Sequence, residues 1–293
     1  MKTWGRLLTA MVTPFNDKLE VDFDKAVDLA RYLIDEGTTA LVVAGTTGEA
    51  PTLTNQEKIE LFKVLKEKIN VPIIAGIGTN STRNTIQLAV EAEKCKVDGL
   101  MAVVPYYNKP NQDCLYKHFK AVAENVSLPL MLYNVPGRTG INMTAETVIK
   151  LSKIKNIVAL KEASGNLDQA GKILRETSEE FIVYSGDDSL TLPMLSIGCY
   201  GIVSVASHVV GRDMSEMIEA YISGDVNKAS KIHLRLLDVF KNLFITANPI
   251  PVKAALKIKG FDVGGLRLPL SEADEEVKKV LKQNLIDLGV IEP

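Results

Sequence analysis

Short apolar runs recur along most of the chain, at Leu7–Val12, Ala40–Val43, Pro72–Ala75, Leu100–Val104, Leu130–Tyr133, Ile157–Lys161, Phe181–Ser185 and Gly201–Val205. They are continuous rather than alternating, the pattern of parallel strands covered on both faces. Between them lie amphipathic stretches that open on helix-starting residues. Asp22 precedes Asp24–Leu29, Thr54 stands three before Glu57 as a capping box, Ser81 precedes the stretch to Lys94, and Thr144 stands three before Thr147 in Thr144–Ser152. Eight strand–helix units predict an α/β fold of the (β/α)8 TIM-barrel type. After Gly224 the strand signal vanishes, and Asp225–Phe244, Pro251–Lys259 and Ser271–Leu288 read as helices, the last two separated by a Gly-rich loop at 260–265. We therefore expect a catalytic barrel over 1–224 and a C-terminal helical domain over 225–293. A doubly wound open sheet is the competing architecture, but its first turn usually carries G-x-G-x-x-G, and here that turn reads Val12-Thr13-Pro14-Phe15.

Composition narrows the function class. With 293 residues, 46% of them hydrophobic, the chain can bury a large core, and a formal net charge of -2 gives no general attraction to polyanions. Basic residues sit among acids, as in Lys66-Glu67-Lys68, so solvated helix faces explain them, and neither a nucleic-acid stripe nor a membrane-binding helix is expected. The opening Met1–Arg6 leads into an apolar run interrupted by Thr9 and Pro14, unlike a secretion signal, and no run approaches about 18 apolar residues. A cytoplasmic location is the expectation. Cys95, Cys114 and Cys199 are odd in number and dispersed, as reduced thiols are, and His118, His208 and His233 lack zinc-ligand spacing. A carbon–carbon bond-forming enzyme can activate its donor with a metal or with a lysine, and this histidine pattern disfavours the metal.

Lys161 ends a buried apolar run, where low dielectric disfavours the ammonium and lowers its pKa from about 10.4. A neutral amine serves Schiff-base chemistry with carbonyl substrates, although a strand-end lysine whose head snorkels into water fits the same position. In a barrel of this type the loops after the strands meet at one rim. They would bring together Gly45-Thr46-Thr47-Gly48-Glu49, Tyr106-Tyr107, Tyr133 with the turn through Arg138, Lys161-Glu162, and Ser185-Gly186-Asp187-Asp188. Tyr133 is placed to exchange protons with the Lys161 carbinolamine, with Thr46 and Tyr107 available as a relay. The consecutive Thr46-Thr47 amides, freed by flanking glycines, could form a nest for a carboxylate, and Arg138 could clamp a second one. Taken singly, the Gly-rich segment also fits a plain turn, the tyrosines fit packing, and Arg138 fits an exposed loop charge.

The segments Gly45–Glu49, Tyr133–Gly140 and Leu160-Lys161-Glu162-Ala163-Ser164-Gly165 resemble the dihydrodipicolinate synthase family, class I pyruvate-dependent aldolases. The likeness runs from Thr13-Pro14-Phe15 to Asn248-Pro249-Ile250-Pro251-Val252-Lys253. It implies condensation of pyruvate with L-aspartate 4-semialdehyde on the route to diaminopimelate and lysine, with no cofactor beyond a covalent Schiff base through Lys161. It further implies that Tyr133 relays protons with Thr46 and Tyr107, the last reaching into a neighbouring subunit's site. Thr47 would hold the pyruvate carboxylate, Arg138 that of the semialdehyde, and backbone near Gly186 and Val203 would finish the pocket. The assembly implied is a homotetramer of two tight dimers. Sister lyases acting on N-acetylneuraminate or 2-keto-3-deoxy sugar acids share the lysine and tyrosine but generally lack the G-R-T-G turn, and a non-catalytic keto-acid-binding barrel would not need the relay. In lysine-regulated relatives a pocket uses a serine, two histidines, an asparagine, a glutamate and a tyrosine. The matching positions here, Ala50, Asn55, Lys58, Asn80, Asn84 and Tyr106, keep only the asparagine and the tyrosine, so weak or absent lysine inhibition is expected.

Overall fold

The computed structural model describes residues 4–293, so Met1–Thr3 of the segment read against a secretion signal lie outside the described residues. Eight parallel strands close into a barrel in chain order: β1 (Leu7–Ala10), β2 (Ala40–Val43), β3 (Ile73–Gly76), β4 (Gly99–Val103), β5 (Leu130–Asn134), β6 (Ile157–Glu162), β7 (Ile182–Ser185) and β8 (Gly201–Ser204). Each expected apolar run became a strand, within one or two residues at its ends. The helices between them are α1 (Phe23–Asp35), α2 (Asn55–Lys68), α3 (Thr82–Lys94), α4 (Gln112–Glu124), the short α5 (Pro136–Thr139), α6 (Ala145–Leu151), α7 (Leu167–Glu176), α8 (Thr191–Ser196) and α9 (Ser207–Ile222). Asp22, Thr54 and Ser81 cap their helices as expected, Thr54 reciprocally with Glu57. Thr144 does not: its side chain makes no cap bond, and its hydroxyl lies 3.5 Å from that of Thr147, so only its carbonyl opens α6.

Two apolar layers result. Inside the barrel Leu8, Val42, Ile74, Met131, Tyr184 and Val203 fill the lumen. Outside it the larger layer, including Leu41, Leu100, Leu132 and Leu160, packs against the helices, each fully buried large side chain contributing roughly 1.5–3 kcal/mol. Because side chains alternate along a strand, Ala159 and Lys161 of β6 share the luminal face while Leu160 and Glu162 point outward. Lys161 pairs in register with Tyr133 of β5 on one side and Tyr184 of β7 on the other.

Beyond Gly224, α10 (Val226–Asn242), α11 (Ile250–Ile258) and α12 (Glu275–Asp287) form the expected helical appendage. It packs on α9 and returns to the β1 and β2 loops: Arg267 donates to the Leu19 and Thr52 carbonyls and pairs with Glu57 at 2.6 Å. Among the described residues the cysteines are free, no helix is long and apolar enough to cross a membrane, and no cluster of acidic, histidine or cysteine side chains could hold a metal. His208 is a core histidine. Its Nε2 accepts from the Val12 N–H and its Nδ1 donates to the Val205 carbonyl.

Candidate active site

The register of β5 and β6 fixes the centre. Lys161 is 5% exposed, and its Nζ lies 4.4 Å from the Tyr133 ring centroid. Burial pulls its pKa from 10.5 down to about 8, opposed by the Asp188 carboxylate and reinforced by Arg138. The lysine therefore does not snorkel into water, and a substantial share of it is neutral amine near physiological pH. Gly186, at the end of β7, leaves room for it: a Cβ there would stand 3.0 Å from Lys161 Cε and 2.7 Å from Ala163 Cβ. Val203, buried on β8, belongs to the lumen beneath.

Tyr133 is equally buried, and burial raises its phenol to about 12, against the opposing pull of Arg138 and of the Thr46 side chain. At neutral pH it is a protonated donor, and it can accept a proton only in concert with passing one on. Thr46 is the first such partner. Tyr107 does not join them: it is 88% exposed, on the β4–α4 loop, with a left-handed φ of 74° that non-glycine residues rarely adopt. Three of the four expected catalytic groups thus meet inside one chain, and the fourth projects away from it.

Thr47 is buried beside Thr46, its hydroxyl accepting from the Asn248 side-chain amide at 2.9 Å. The loop differs from expectation in how it turns. Its left-handed residues are Ala44 (φ 54°) and Glu49 (φ 56°), not the glycines, and Gly48 is needed because a Cβ would crowd the Met11 carbonyl and the Ala44 backbone. Arg138, exposed at the C-terminal end of α5, lines a cavity of about 400 Å³ together with Thr46 and Tyr133.

A model of the dihydrodipicolinate synthetase family matches residues 3–287 of this sequence. The chain belongs to that family. Relatives named 4-hydroxy-tetrahydrodipicolinate synthase include one from Moorella thermoacetica, 54% identical over 290 residues that cover 98% of this chain and 99% of the relative. Among solved structures, the dihydrodipicolinate synthase of Cyanidioschyzon merolae with lysine bound is 50% identical and superposes with a TM-score of 0.96 over 98% of this chain and 99% of that one. A dihydrodipicolinate synthase from Bacillus anthracis is 49% identical, with a TM-score of 0.94 over 97% and 98% of the two chains.

Within this family member the same 400 Å³ cavity gathers five of the six positions matched to the lysine pocket: Ala50, Lys58, Asn80, Asn84 and Tyr106. The sixth, Asn55, is an exposed residue of α2 and does not line it. Lys58 is buried, and desolvation lowers its pKa against a small opposing pull from Glu57. Reasoning from sequence assigned no role to three residues that shape the site. Asp188 partly offsets the burial of Lys161 while its own carboxyl, raised by burial to about 6, accepts from the Ser204 hydroxyl at 2.5 Å and from the Val205 and Ala206 N–H groups. Asn248 and Lys253 reach the Thr46–Thr47 loop from the helical tail. Asp188 stood on the rim in the sequence, but nothing in the spacing of Asn248 or Lys253 signals their contacts more than 200 positions upstream.

Proposed function

We propose that this protein is a 4-hydroxy-tetrahydrodipicolinate synthase that condenses pyruvate with L-aspartate 4-semialdehyde through an imine on Lys161. The observation that carries the reading is a buried lysine, its pKa lowered by burial to about 8, in register with a buried tyrosine whose ring centroid stands 4.4 Å from the amine. Neutral Lys161 attacks the pyruvate ketone, and the carbinolamine loses water as Tyr133 donates to the departing hydroxyl. The imine gives up a methyl proton to become an enamine, whose carbon attacks the aldehyde. The alkoxide takes a proton from the relay, and the amino group of the condensed chain displaces Lys161 in closing the ring, so that one water is released overall. The reaction calls on no external cofactor.

In this reading Thr47 holds the pyruvate carboxylate, with the backbone near Gly186 and Val203 lining the pocket behind it, and Arg138 holds the semialdehyde carboxylate at the cavity mouth. Tyr107 acts in a neighbouring subunit: its exposure and left-handed backbone suit a side chain presented to a partner, in keeping with a tight dimer and a homotetramer of two such dimers. Residues 1–224 form the catalytic unit and 225–293 a helical domain that braces it, in the cytoplasm. Lysine inhibits weakly or not at all, because Asn84 offers no counter-charge to the inhibitor's ammonium and Lys58 adds a repelling one, blunted by its lowered pKa. The test is borohydride trapping with pyruvate, followed by peptide mapping, beside a coupled assay with aspartate semialdehyde, N-acetylneuraminate and keto-deoxy sugar acids. An adduct on any residue but Lys161, or turnover confined to the sugar acids, would defeat the proposal. Binding of pyruvate without turnover would point to a non-catalytic barrel.

A further inference from the structure

The loop that carries Thr46 and Thr47 is held from the far end of the chain. Glu49 closes that loop in a left-handed conformation, its N–H bonded to the Thr46 carbonyl at 3.1 Å. Such a backbone persists only where its surroundings over-determine it. Here they do: the Glu49 side chain, fully buried, meets Lys253 Nζ of α11 at 2.7 Å, an ion pair whose angle falls short of a hydrogen bond's. The other carboxylate oxygen accepts from the Arg267 N–H at 3.2 Å. Lys253 is fixed in turn by donating to the Gly265 carbonyl at 2.8 Å and by standing 4.3 Å from the Phe15 ring centroid. Two residues before Glu49, the Thr47 hydroxyl is tied to Asn248, just before α11.

Thermodynamic stability alone is a poor reason for such a pair. Charges this deeply buried are costly to desolvate, and an apolar pair of similar volume often serves the fold as well or better. What an ion pair supplies and an apolar pair does not is direction and register. We propose that Lys253 is a positioning residue of the condensation: paired with Glu49, and seconded by Asn248 on Thr47, it sets where the pyruvate-binding hydroxyl and the first relay hydroxyl stand relative to Lys161. No tail residue has to touch substrate for this to work. The tail acts through the loop, so the helical domain is part of the catalytic geometry. This rests on the reading of Thr47 as the pyruvate-carboxylate ligand.

The experiment uses the full-length enzyme with Glu49→Gln, Lys253→Met, the double variant and Asn248→Ala, scored for pyruvate KM, kcat, the rate of borohydride-trapped imine formation, and Tm. A displacement of the hydroxyls by a fraction of an ångström to an ångström is expected to raise pyruvate KM and slow trapping by on the order of 10- to 100-fold. The single variants leave one buried charge unpaired and should lose Tm. The double variant removes both charges and should recover Tm while its pyruvate KM stays raised, and Asn248→Ala should raise pyruvate KM with little change in Tm. A purely structural ion pair gives the same fall of Tm in the single variants but leaves pyruvate KM unchanged in the folded enzyme. That result, or recovery of KM together with Tm in the double variant, overturns the proposal. Thr47→Ala is the separate control: if it leaves pyruvate KM untouched, the carboxylate assignment fails, whatever Lys253 does.

Discussion

Replacing Lys161 by methionine should make the protein inactive and more stable at the same time. The burial that lowers Lys161 from 10.5 to about 8 raises the neutral-amine fraction near pH 7 roughly 300-fold over an ordinary lysine, and costs the folded state about 3 kcal/mol. The sign follows from proton counting. Below pH 8 both folded and unfolded chains hold the proton and the full penalty applies; between about 8 and 10.5 the unfolded chain holds more protons, so stability rises with pH. Lys161→Met removes the penalty, so its advantage in urea unfolding should be largest near neutrality and shrink over that window. The companion assay is the initial rate of borohydride-trapped pyruvate adduct from about pH 6 to about pH 10, which should rise along a limb with an apparent pKa near 8. Removing Asp188's charge with Asp188→Asn should shift the limb lower and Arg138→Ala should shift it higher, because the carboxylate raises and the guanidinium lowers Lys161. A limb near the ordinary lysine value, a methionine variant no more stable than the parent, or shifts of the wrong sign would refute the reasoning.

Tyr107→Phe should leave Tm unchanged and lower kcat by roughly 100-fold, the usual worth of a proton-transfer group; mixing it with Lys161→Ala subunits should restore activity if the phenol acts across an interface, and no recovery despite proven subunit exchange would count against that. Arg138→Ala should raise KM for aspartate semialdehyde far more than for pyruvate, since a lost charge-assisted clamp is worth about 1.5–3 kcal/mol; equal effects on both substrates would unseat the assignment. Titrating free lysine against initial rate should show no half-inhibition below millimolar, because losing even about 3 kcal/mol weakens binding more than a hundredfold; submillimolar inhibition would mean the pocket is rebuilt from other residues.

The barrel was legible because burial on both faces writes itself into continuous apolar runs, and because Asp22, Thr54 and Ser81 announce their helices with local chemistry. Thr144 misled because the same S/T spacing also arises where the carbonyl alone starts the helix. Lys161, Tyr133 and Thr46 could be placed together once the barrel was assumed, since strand ends share a rim. The left-handed residues of the β2 loop could not be assigned from glycine spacing: Ala44 and Glu49 take those conformations because tertiary contacts outweigh local preference, while Gly48 answers a crowded backbone. Contacts from Asn248 and Lys253 were invisible for a different reason. A single side chain reaching across the fold leaves no periodicity behind.

Among the described residues three lysines, Lys58, Lys161 and Lys253, are buried, and burial alone does not separate them. Desolvation pushes the pKa of each one down. What differs is the carboxylate within reach. Lys253 is held against Glu49 at 2.7 Å, so its charge is matched at contact and its nitrogen serves as a fixed strut. Lys161 feels Asp188, but that carboxylate is engaged by Ser204, Val205 and Ala206, so it moderates the lysine without capturing it. Lys58 has no ion pair among the described residues, and the neighbouring Glu57 is engaged by Arg267. A nucleophilic lysine therefore requires a buried amine whose nearest acid is occupied elsewhere, together with a donor placed over it. Of the three, Lys161 has the Tyr133 ring beside its nitrogen, so in the proposed mechanism the strand register between β5 and β6, more than the burial of any lysine, selects the reacting nitrogen.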